Sequence, residues 1–313
     1  MIEVKNITKK YGKAVAVDNI SFNIEEGEIV GLLGPNGAGK STTMNIITGF
    51  IEQTEGDVII DGYNTLKKPK KAKKEIGYMP EGVPLYTDLT VKEFVSYMAE
   101  IKQVNKKERK GKVEKIIEKT GLKDVEKKLI KNLSRGYKQR VSMAGALVGE
   151  PKILILDEPT VGLDPKQITE IRSMIKELGK EHTIILSSHI LSEVSQICNK
   201  VIIINKGKIV AIDTPENLEN KVTKNNCIYV TVEDKENRVD EIKDKIEDIQ
   251  KIELVEENED GTKQYLIEAE TDKDIRKTIF AEFAKENITI FEMKKADTTL
   301  EDAFMKLIEG GNK

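Results

Sequence analysis

The 313-residue sequence has only two cysteines and two histidines, and no tryptophan. Cys198 and Cys227 are far apart in the sequence and stand alone. They have neither the spacing of a metal site nor the number needed for a disulfide framework. We therefore expect a protein of the reducing cytosol whose chemistry does not depend on its thiols.

Long apolar runs are also missing from the sequence. The longest, Ile153–Leu156 and residues 201–204, have the length of a β-strand and fall far short of the roughly 20 residues that a helix needs to cross a bilayer. The first residues already alternate like a strand, so we expect no cleaved leader. Basic and acidic residues nearly balance, 51 against 54, so no global basic field favours nucleic acid as a partner.

A glycine-rich segment carries the strongest chemical signal. The apolar run Ile29–Leu33 leads into the pattern G-x-x-x-x-G-K-S over residues 34–41, and a helix-compatible stretch follows. In the order strand, loop, helix, such a segment folds its backbone N–H groups around phosphate oxygens. Lys40 would neutralise the β- and γ-phosphates, and Ser41 would offer a hydroxyl to Mg²⁺. The expected nucleotide-binding residues are Gly34, Pro35, Asn36, Gly37, Ala38, Gly39, Lys40, Ser41 and Thr42.

The apolar run Ile153–Leu156 ends in two carboxylates, Asp157 and Glu158. Continuous aliphatic residues are typical of a buried parallel strand, and ligands of open α/β sheets bind at the carboxyl ends of such strands. We therefore expect Asp157 to hold Mg²⁺ or its water shell, and Glu158 to polarise an attacking water.

Between these motifs, residues 133–140 follow the pattern L-S-x-G-x-x-Q-R. Here the chain resembles the ATP-binding subunits of ABC transporters, in which an LSGGQ-type signature follows a helical subdomain. Ser134 is suited to cap a helix that begins near Tyr137, and the Gly136 N–H would complete an anion site. The resemblance assigns Ser134, Arg135 and Gly136 to the nucleotide of the opposite subunit of an ATP-dependent homodimer. Arg135 and Tyr137 stand where the common signature has glycine and glutamine.

The resemblance implies roles for further residues. Tyr11 and Val17 correspond to an aromatic and an apolar contact of the adenine ring, and His189 corresponds to the switch histidine that senses the γ-phosphate. Residues 162–165 correspond to the loop that contacts the opposite subunit. His182 lies in a turn without such a context, and we expect it to be solvated. The expected catalytic residues are then Glu158, His189 and Lys40.

Residues 76–81 align with the Q-loop of this family, where most members have glutamine at the position of Glu81. A carboxylate still offers an oxygen to Mg²⁺ but cannot donate an amide N–H. With glutamate at this position, the chain resembles a subgroup of ABC proteins that work with ABC-2-type permeases. Most of that subgroup are exporters. The expected metal ligands are Ser41, Glu81 and Asp157.

The resemblance covers residues 1–220 and implies an α/β fold, a P-loop NTPase of ABC type. Such a domain has a mixed-sheet core, an antiparallel β subdomain and a helical subdomain, here over about residues 88–150. A polar break near residues 219–226 opens a second domain, 221–313, whose β-α-β-β-α-β order predicts a smaller ferredoxin-like α+β unit with an accessory role. Its strands are expected at 227–233, 251–256, 264–268 and 288–293, and its helices at 239–249, 273–286 and 300–308.

Two local features of the larger domain carry predictions of their own. A helix should begin at Thr90 and bury one face. The lysine run within residues 66–74 predicts a solvated surface, with a lipid contact as the minor alternative. The face of the helix is expected to contain Val91, Phe94, Val95, Met98 and Ile101.

The sequence thus predicts an ATPase that uses ATP and Mg²⁺ to drive transport, in the export direction, through a separate ABC-2-like membrane permease at the cytoplasmic face of the membrane. The alternative is a soluble ABC-type ATPase that acts on ribosomes or DNA. Translation-type members carry two cassettes, whereas this chain has one set of motifs. DNA-maintenance members insert a long coiled coil before the signature, where this chain has only ~100 residues. A regulator with a dead site is disfavoured because Lys40, Asp157, Glu158 and His189 are all present.

Overall fold

The computed structural model describes residues 1–82, 85–218, 226–234, 238–242, 245–246, 248–258, 261–269 and 274–295. The chain divides into two compact units, Met1–Pro215 and Glu216–Asn312. None of the helices in the described ranges combines the length and the apolar character that crossing a bilayer requires.

The first unit contains ten strands and seven α-helices between Met1 and Asp213, and residues 215–218 at its boundary with the second unit are also helical. The strands are β1 (Ile2–Tyr11), β2 (Ala14–Ile24), β3 (Ile29–Leu33), β4 (Glu55–Ile60), β5 (Tyr63–Asn64), β6 (Ile76–Met79), β7 (Ile153–Leu156), β8 (Thr183–Ser188), β9 (Lys200–Asn205) and β10 (Lys208–Asp213). The helices are α1 (Lys40–Ile47), α2 (Pro69–Lys74), α3 (Val91–Ile101), α4 (Lys106–Lys119), α5 (Arg135–Leu147), α6 (Pro165–Leu178) and α7 (Leu191–Ser195).

Two sheets organise this unit. An antiparallel sheet has the order β2-β1-β4-β5, and a mixed sheet has the order β10-β9-β3-β8-β7-β6, in which only the β9–β10 pair is antiparallel. Every residue of β3, β7 and β8 is buried, as their aliphatic sequences predict. Leu33 at the end of β3 pairs with Ser188 at the end of β8, and β8 pairs in parallel with β7. The carboxyl ends of three central strands therefore meet at one edge.

The helix predicted at Thr90 is confirmed. The Thr90 side chain accepts the Glu93 N–H while the Glu93 carboxylate accepts the Thr90 N–H, which forms a capping box for α3. Val91 and Phe94 are buried as expected, but Ile101 is 54% exposed. Ile101 is the last residue of α3 and, at 3.6 residues per turn, lies at the edge of the buried stripe, about 20° beyond Phe94.

The second unit has its own sheet and core. Its elements are β11 (Asn226–Glu233), α8 (Val239–Ile242), β12 (Ile249–Glu257), β13 (Thr262–Ala269), α9 (Arg276–Lys285) and β14 (Thr289–Lys295). The sheet is antiparallel throughout, with the order β12-β13-β11-β14. This is the strand order of a ferredoxin-like module, as the sequence predicts.

The predicted extents of the helices in the second unit are less accurate than those of the strands. The helix expected over 239–249 is wrong in extent, because its described part ends at Ile242 and Ile249 already begins β12. Ile246 and Ile249 are both buried in the core of this unit, so their apolar spacing reflects burial and not a continued helix. The helix expected over 300–308 lies outside the described residues.

Each unit contains a separate hydrophobic core. The core cluster of the first unit draws on residues between Ile2 and Ile209, and that of the second on residues between Ile228 and Met293. A chain that ends at Lys221 should therefore fold cooperatively by itself, with a thermal midpoint within roughly 5 °C of the corresponding transition of the full chain. Differential scanning calorimetry and near-ultraviolet circular dichroism measure this. A shortened chain without a cooperative transition would show that the first unit requires residues beyond 221.

Candidate functional site

The glycine-rich loop between β3 and α1 is closely packed against neighbouring backbone. A Cβ on Gly34 would lie 2.2 Å from the Ile204 carbonyl oxygen, and one on Gly39 would lie 2.6 Å from the Ala16 carbonyl oxygen. Gly39 also has φ of 108°, in the left-handed region that favours glycine. These glycines let the loop turn directly into α1, whose first N–H groups have no side-chain cap. The helix N-terminus is therefore available for an anion.

Lys40 is the first residue of α1, and its side chain folds back over the loop. Its ammonium group donates to the Gly34 carbonyl oxygen at 2.8 Å and lies 3.3 Å from the Pro35 carbonyl oxygen. It also lies 3.6 Å from Glu158 Oε1. Lys40 is only 6% exposed, so a buried positive charge is held at the loop by three oxygen atoms.

Ser187 connects the Asp157 carboxylate with the backbone of Glu158, the two acidic residues that follow β7. Ser187 Oγ donates to Asp157 Oδ1 at 2.6 Å and accepts the Glu158 N–H at 2.8 Å. Ser41 Oγ lies 3.4 Å from the same Asp157 oxygen. Burial and the charge of Asp157 raise the pKa of the nearby Tyr78 to about 12. Sequence reasoning missed Ser187. The available signal was a small hydroxyl residue at the end of a buried strand, which by itself has no specific chemical meaning.

Glu158 adopts an unusual backbone conformation for a glutamate. Its φ is 48°, in the left-handed region, where a non-glycine residue stores strain that is frequent at functional sites. The residue is 6% exposed, and its carboxylate lies 3.1 Å from His189 Nδ1 through Oε2 and 3.6 Å from Lys40 Nζ through Oε1. The three residues expected to be catalytic are thus brought together.

These groups border one cleft of about 380 Å³. Its lining consists of Ala16, Asn36, Gly37, Gly39, Lys40, Ser41, Thr42, Glu81, Glu158, Val161 and His189. Gly34 and Pro35 lie behind it as acceptors of Lys40, and Asp157 lies beside Ser41. Ala38 is buried, and its carbonyl accepts the Gly207 N–H at 2.9 Å. The arrangement provides positive charge and N–H groups for phosphates, oxygen donors for a hard cation and a carboxylate for a water.

Comparison with known proteins places this cleft in a family. A sequence model of the ABC transporter family matches residues 17–161. The bacitracin transport ATP-binding protein BcrA of Bacillus licheniformis is 35% identical over 314 residues, which covers 99% of this chain and 98% of that protein. The chain belongs to the ATP-binding subunits of ABC transporters. It is therefore an ATPase whose hydrolysis of ATP drives transport through a separate permease.

Other relatives and solved structures of ABC ATPases agree with this assignment. The linearmycin resistance ATP-binding protein LnrL of Bacillus subtilis is 37% identical over 233 residues, which covers 74% of this chain and 75% of that protein. A solved ATP-binding subunit of an ABC transporter superposes with a TM-score of 0.64 at 30% identity, covering 71% of this chain and 93% of that chain. A dimeric ATP-binding cassette solved after hydrolysis, with ADP and Pi, superposes with a TM-score of 0.63 at 30% identity, covering 69% of this chain and 99% of that chain. The predicted ABC-type fold is thereby confirmed.

The two residues expected near the adenine of this ABC ATPase have different surroundings. Val17 is fully buried in the core, and its contact with the adenine ring stays a prediction. Its neighbour Ala16 lines the cleft, because successive residues of a strand point to opposite faces. Tyr11 is 51% exposed at the end of β1, with the Lys9 ammonium 5.1 Å from its ring centre, and is not among the residues that line the cleft.

The signature of this ABC ATPase borders a second cleft. Ser134, Gly136 and Tyr137 line it together with residues of α6, and it shares no lining residue with the phosphate-loop cleft. Ser134 occupies the N-cap position, as expected, and the helix begins at Arg135, two residues before the expected start. The Ser134 side chain makes no capping hydrogen bond, so the expected side-chain cap is wrong. The Ser134 carbonyl accepts the Lys138 N–H at 3.0 Å, so backbone bonds alone start the helix.

The two departures from the common signature make local contacts. A Cβ on Gly162 would lie 2.2 Å from Arg135 Nη1, so the guanidinium group packs directly on the loop that follows Glu158. Tyr137 donates its hydroxyl to Asp124 Oδ2 at 2.6 Å, and this hydrogen bond raises the pKa of Tyr137. The signature helix is thus attached on two sides.

His182 is not solvated as expected. It is half-buried at the start of β8, and its Nδ1 lies 2.7 Å from the Pro151 carbonyl oxygen. The turn after α6 brings it against Pro151, two residues before β7. It lies outside the phosphate-loop cleft.

The Ser187 link generates a prediction for ATP hydrolysis. Ser187→Ala removes the shorter of the two described hydrogen bonds to Asp157 Oδ1, leaving that from Ser41, and removes the acceptor of the Glu158 N–H. Since a hydrogen bond to a charged group contributes about 1.5–3 kcal/mol, the turnover number should fall by roughly tenfold or more, with a higher Mg²⁺ requirement. Steady-state ATPase assays at several Mg²⁺ concentrations measure both.

Ser188→Ala is the matched control for this prediction. Ser188 is also buried, but its hydroxyl accepts the N–H of Ile190, two residues along. Its removal should change turnover by less than about threefold. Equal losses in the two variants, or normal activity of Ser187→Ala, would contradict a special role for the Ser187 link.

Proposed function

We propose that this ATPase powers export through an ABC-2-type permease, from the cytoplasmic face of the membrane. The observation that supports ATP hydrolysis in this proposal is that Lys40, Glu158 and His189 line one cleft. Ser41 and Asp157 lie beside them. The names of relatives support export of antibiotics. BcrA is named for bacitracin transport and LnrL for linearmycin resistance. SrtF of Streptococcus pyogenes is named for lantibiotic transport. SrtF is 38% identical over 223 residues, which covers 70% of this chain and 94% of that protein.

In the proposed reaction, water attacks the γ-phosphate of ATP. Glu158 orients and polarises this water, while Lys40 and the N–H groups at the start of α1 neutralise the phosphate oxygens. His189, with a proton on Nδ1, donates to Glu158 Oε2 and so holds the carboxylate toward the cleft. The buried position of Lys40 strengthens its interaction with the phosphates, because few water molecules screen it.

The residues around Ser41 fit a magnesium ion. A serine hydroxyl and carboxylate oxygens are the hard donors that Mg²⁺ prefers. In the described ranges no group of three or more His, Cys, Asp or Glu side chains converges on one point. Water and phosphate oxygens would therefore complete the shell, as is usual for this ion. Ser41 and Asp157 would hold it, with Glu81 at the edge of the cleft.

The complete site requires two chains in this proposal. The signature and the phosphate loop border clefts with no shared lining residue, so one chain cannot place its own signature on its own nucleotide without a large change. An ATP-dependent homodimer would bring Ser134, Arg135 and Gly136 to the nucleotide of the partner. In the same proposal, residues 1–220 contain all of the chemistry, and 221–313 form an accessory domain.

Replacing the proposed water-orienting carboxylate should separate binding from hydrolysis. Glu158→Gln should retain ATP affinity and lose turnover by roughly 10²-fold or more, because an amide is a poor base. The variant should therefore accumulate as a dimer when ATP is added, which light scattering measures. Adding Ser134→Arg to it should prevent the dimer by placing a bulky cation at the interface. Near-normal turnover of Glu158→Gln would remove this residue from the mechanism.

The Glu158→Gln variant also tests the transport partner. Because it should remain in the ATP-bound state, it should copurify from detergent-solubilised membranes with a polytopic protein, and the amount should increase with ATP. Mass spectrometry identifies that protein. Copurification with ribosomes or DNA in place of a membrane protein would contradict the export proposal and favour the soluble alternative.

A further inference from the structure

A cluster of lysines on the first unit has no part in the nucleotide cleft. Residues 67–74 contain six lysines in eight positions: Lys67, Lys68, Lys70, Lys71, Lys73 and Lys74. All six side chains are exposed, and Ala72 is the single buried residue of α2. We call residues 66–74 the lysine face.

The positive charge of this face is not compensated within the described parts of the chain. None of its six ammonium groups forms an ion pair with a described carboxylate, whereas lysines elsewhere, such as Lys119 and Lys200, do. The carboxylates that flank the face are directed to Lys152, with Asp61 Oδ2 at 2.7 Å and Glu75 Oε2 at 3.9 Å from its ammonium group. Six adjacent like charges repel one another, so the face is suited to an external anionic surface.

Apolar side chains accompany these charges. Leu66 begins the face and is 46% exposed. Phe50 is 76% exposed. The preceding residue, Gly49, lies beside the lysine face, since a Cβ on it would be 3.2 Å from Lys73 Cε. Lysines with exposed apolar neighbours are the combination by which peripheral proteins bind anionic membranes, since the charges contact headgroups and the apolar groups enter the interface.

We propose that the lysine face rests on the anionic lipid headgroups of the membrane. This contact goes beyond the proposed function, because it involves lipid and does not require a permease. Each lysine near an anionic bilayer surface strengthens binding by about fivefold. The face would add an attachment of the ATPase to the membrane that depends on lipid charge and weakens with salt.

Sedimentation of the full chain with lipid vesicles tests the proposal. Wild-type protein should bind vesicles of phosphatidylcholine with about one third phosphatidylglycerol, and binding should be much weaker to phosphatidylcholine alone. The triple variant Lys67→Gln, Lys70→Gln, Lys74→Gln should bind the anionic vesicles on the order of 100-fold more weakly. Leu66→Ser should weaken the part of the binding that persists at high salt.

The matched control removes the same charge elsewhere. Lys106, Lys107 and Lys110 on α4 are also exposed, and their replacement by Gln should change vesicle binding by less than about threefold. Unchanged basal ATPase activity in both triple variants shows that they are folded. Equal losses in the two triple variants, or equal wild-type binding to neutral and anionic vesicles, would overturn the proposal. Binding to a DNA duplex without binding to the anionic vesicles would overturn it as well.

Discussion

The hydroxyl of Ser187 joins the two strand ends on which the catalytic cleft is built. It donates to Asp157 and accepts the Glu158 N–H, and all three residues are buried. Because β8 also pairs in parallel with β3, the same strand fixes the distance from these carboxylates to the phosphate loop. Glu158 is held in the left-handed region, and its carboxylate is directed between Lys40 and His189. The strain at this residue is compensated by the packing of three buried strands.

The signature helix depends on a different set of contacts. Arg135 packs on Gly162 in the loop after Glu158, and Tyr137 bonds to Asp124 in the short turn Lys123–Val125. The two residues that depart from the common signature thus connect α5 both to the catalytic loop and to the helical region before it. Arg135 and Tyr137 have longer side chains than the glycine and glutamine of the common signature.

The sequence predicts local features of this protein better than distant ones. The phosphate loop could be recognised because its strand, glycines and helix are contiguous, and the helix after Thr90 because its apolar residues recur on one face. Ser187 could not be recognised, since its role exists only after β8 pairs with β7. The resemblance names Val17 and not its neighbour Ala16, which lines the cleft because successive residues of a strand point to opposite faces. In the second unit the strands follow from their alternation, whereas the helix over 239–249 was extended too far because buried residues at the start of β12 continue its spacing.

The central claim is that two copies of this chain enclose ATP between the phosphate loop of one and the signature of the other. A crystal structure of the Glu158→Gln variant with ATP and Mg²⁺ tests it most directly. The account predicts a Mg²⁺ ion about 2.1 Å from Ser41 Oγ, phosphates on the N–H groups at the start of α1, and Ser134 of the second copy at the γ-phosphate. ATP bound away from the glycine-rich loop, or a closed site completed by a single chain, would contradict it.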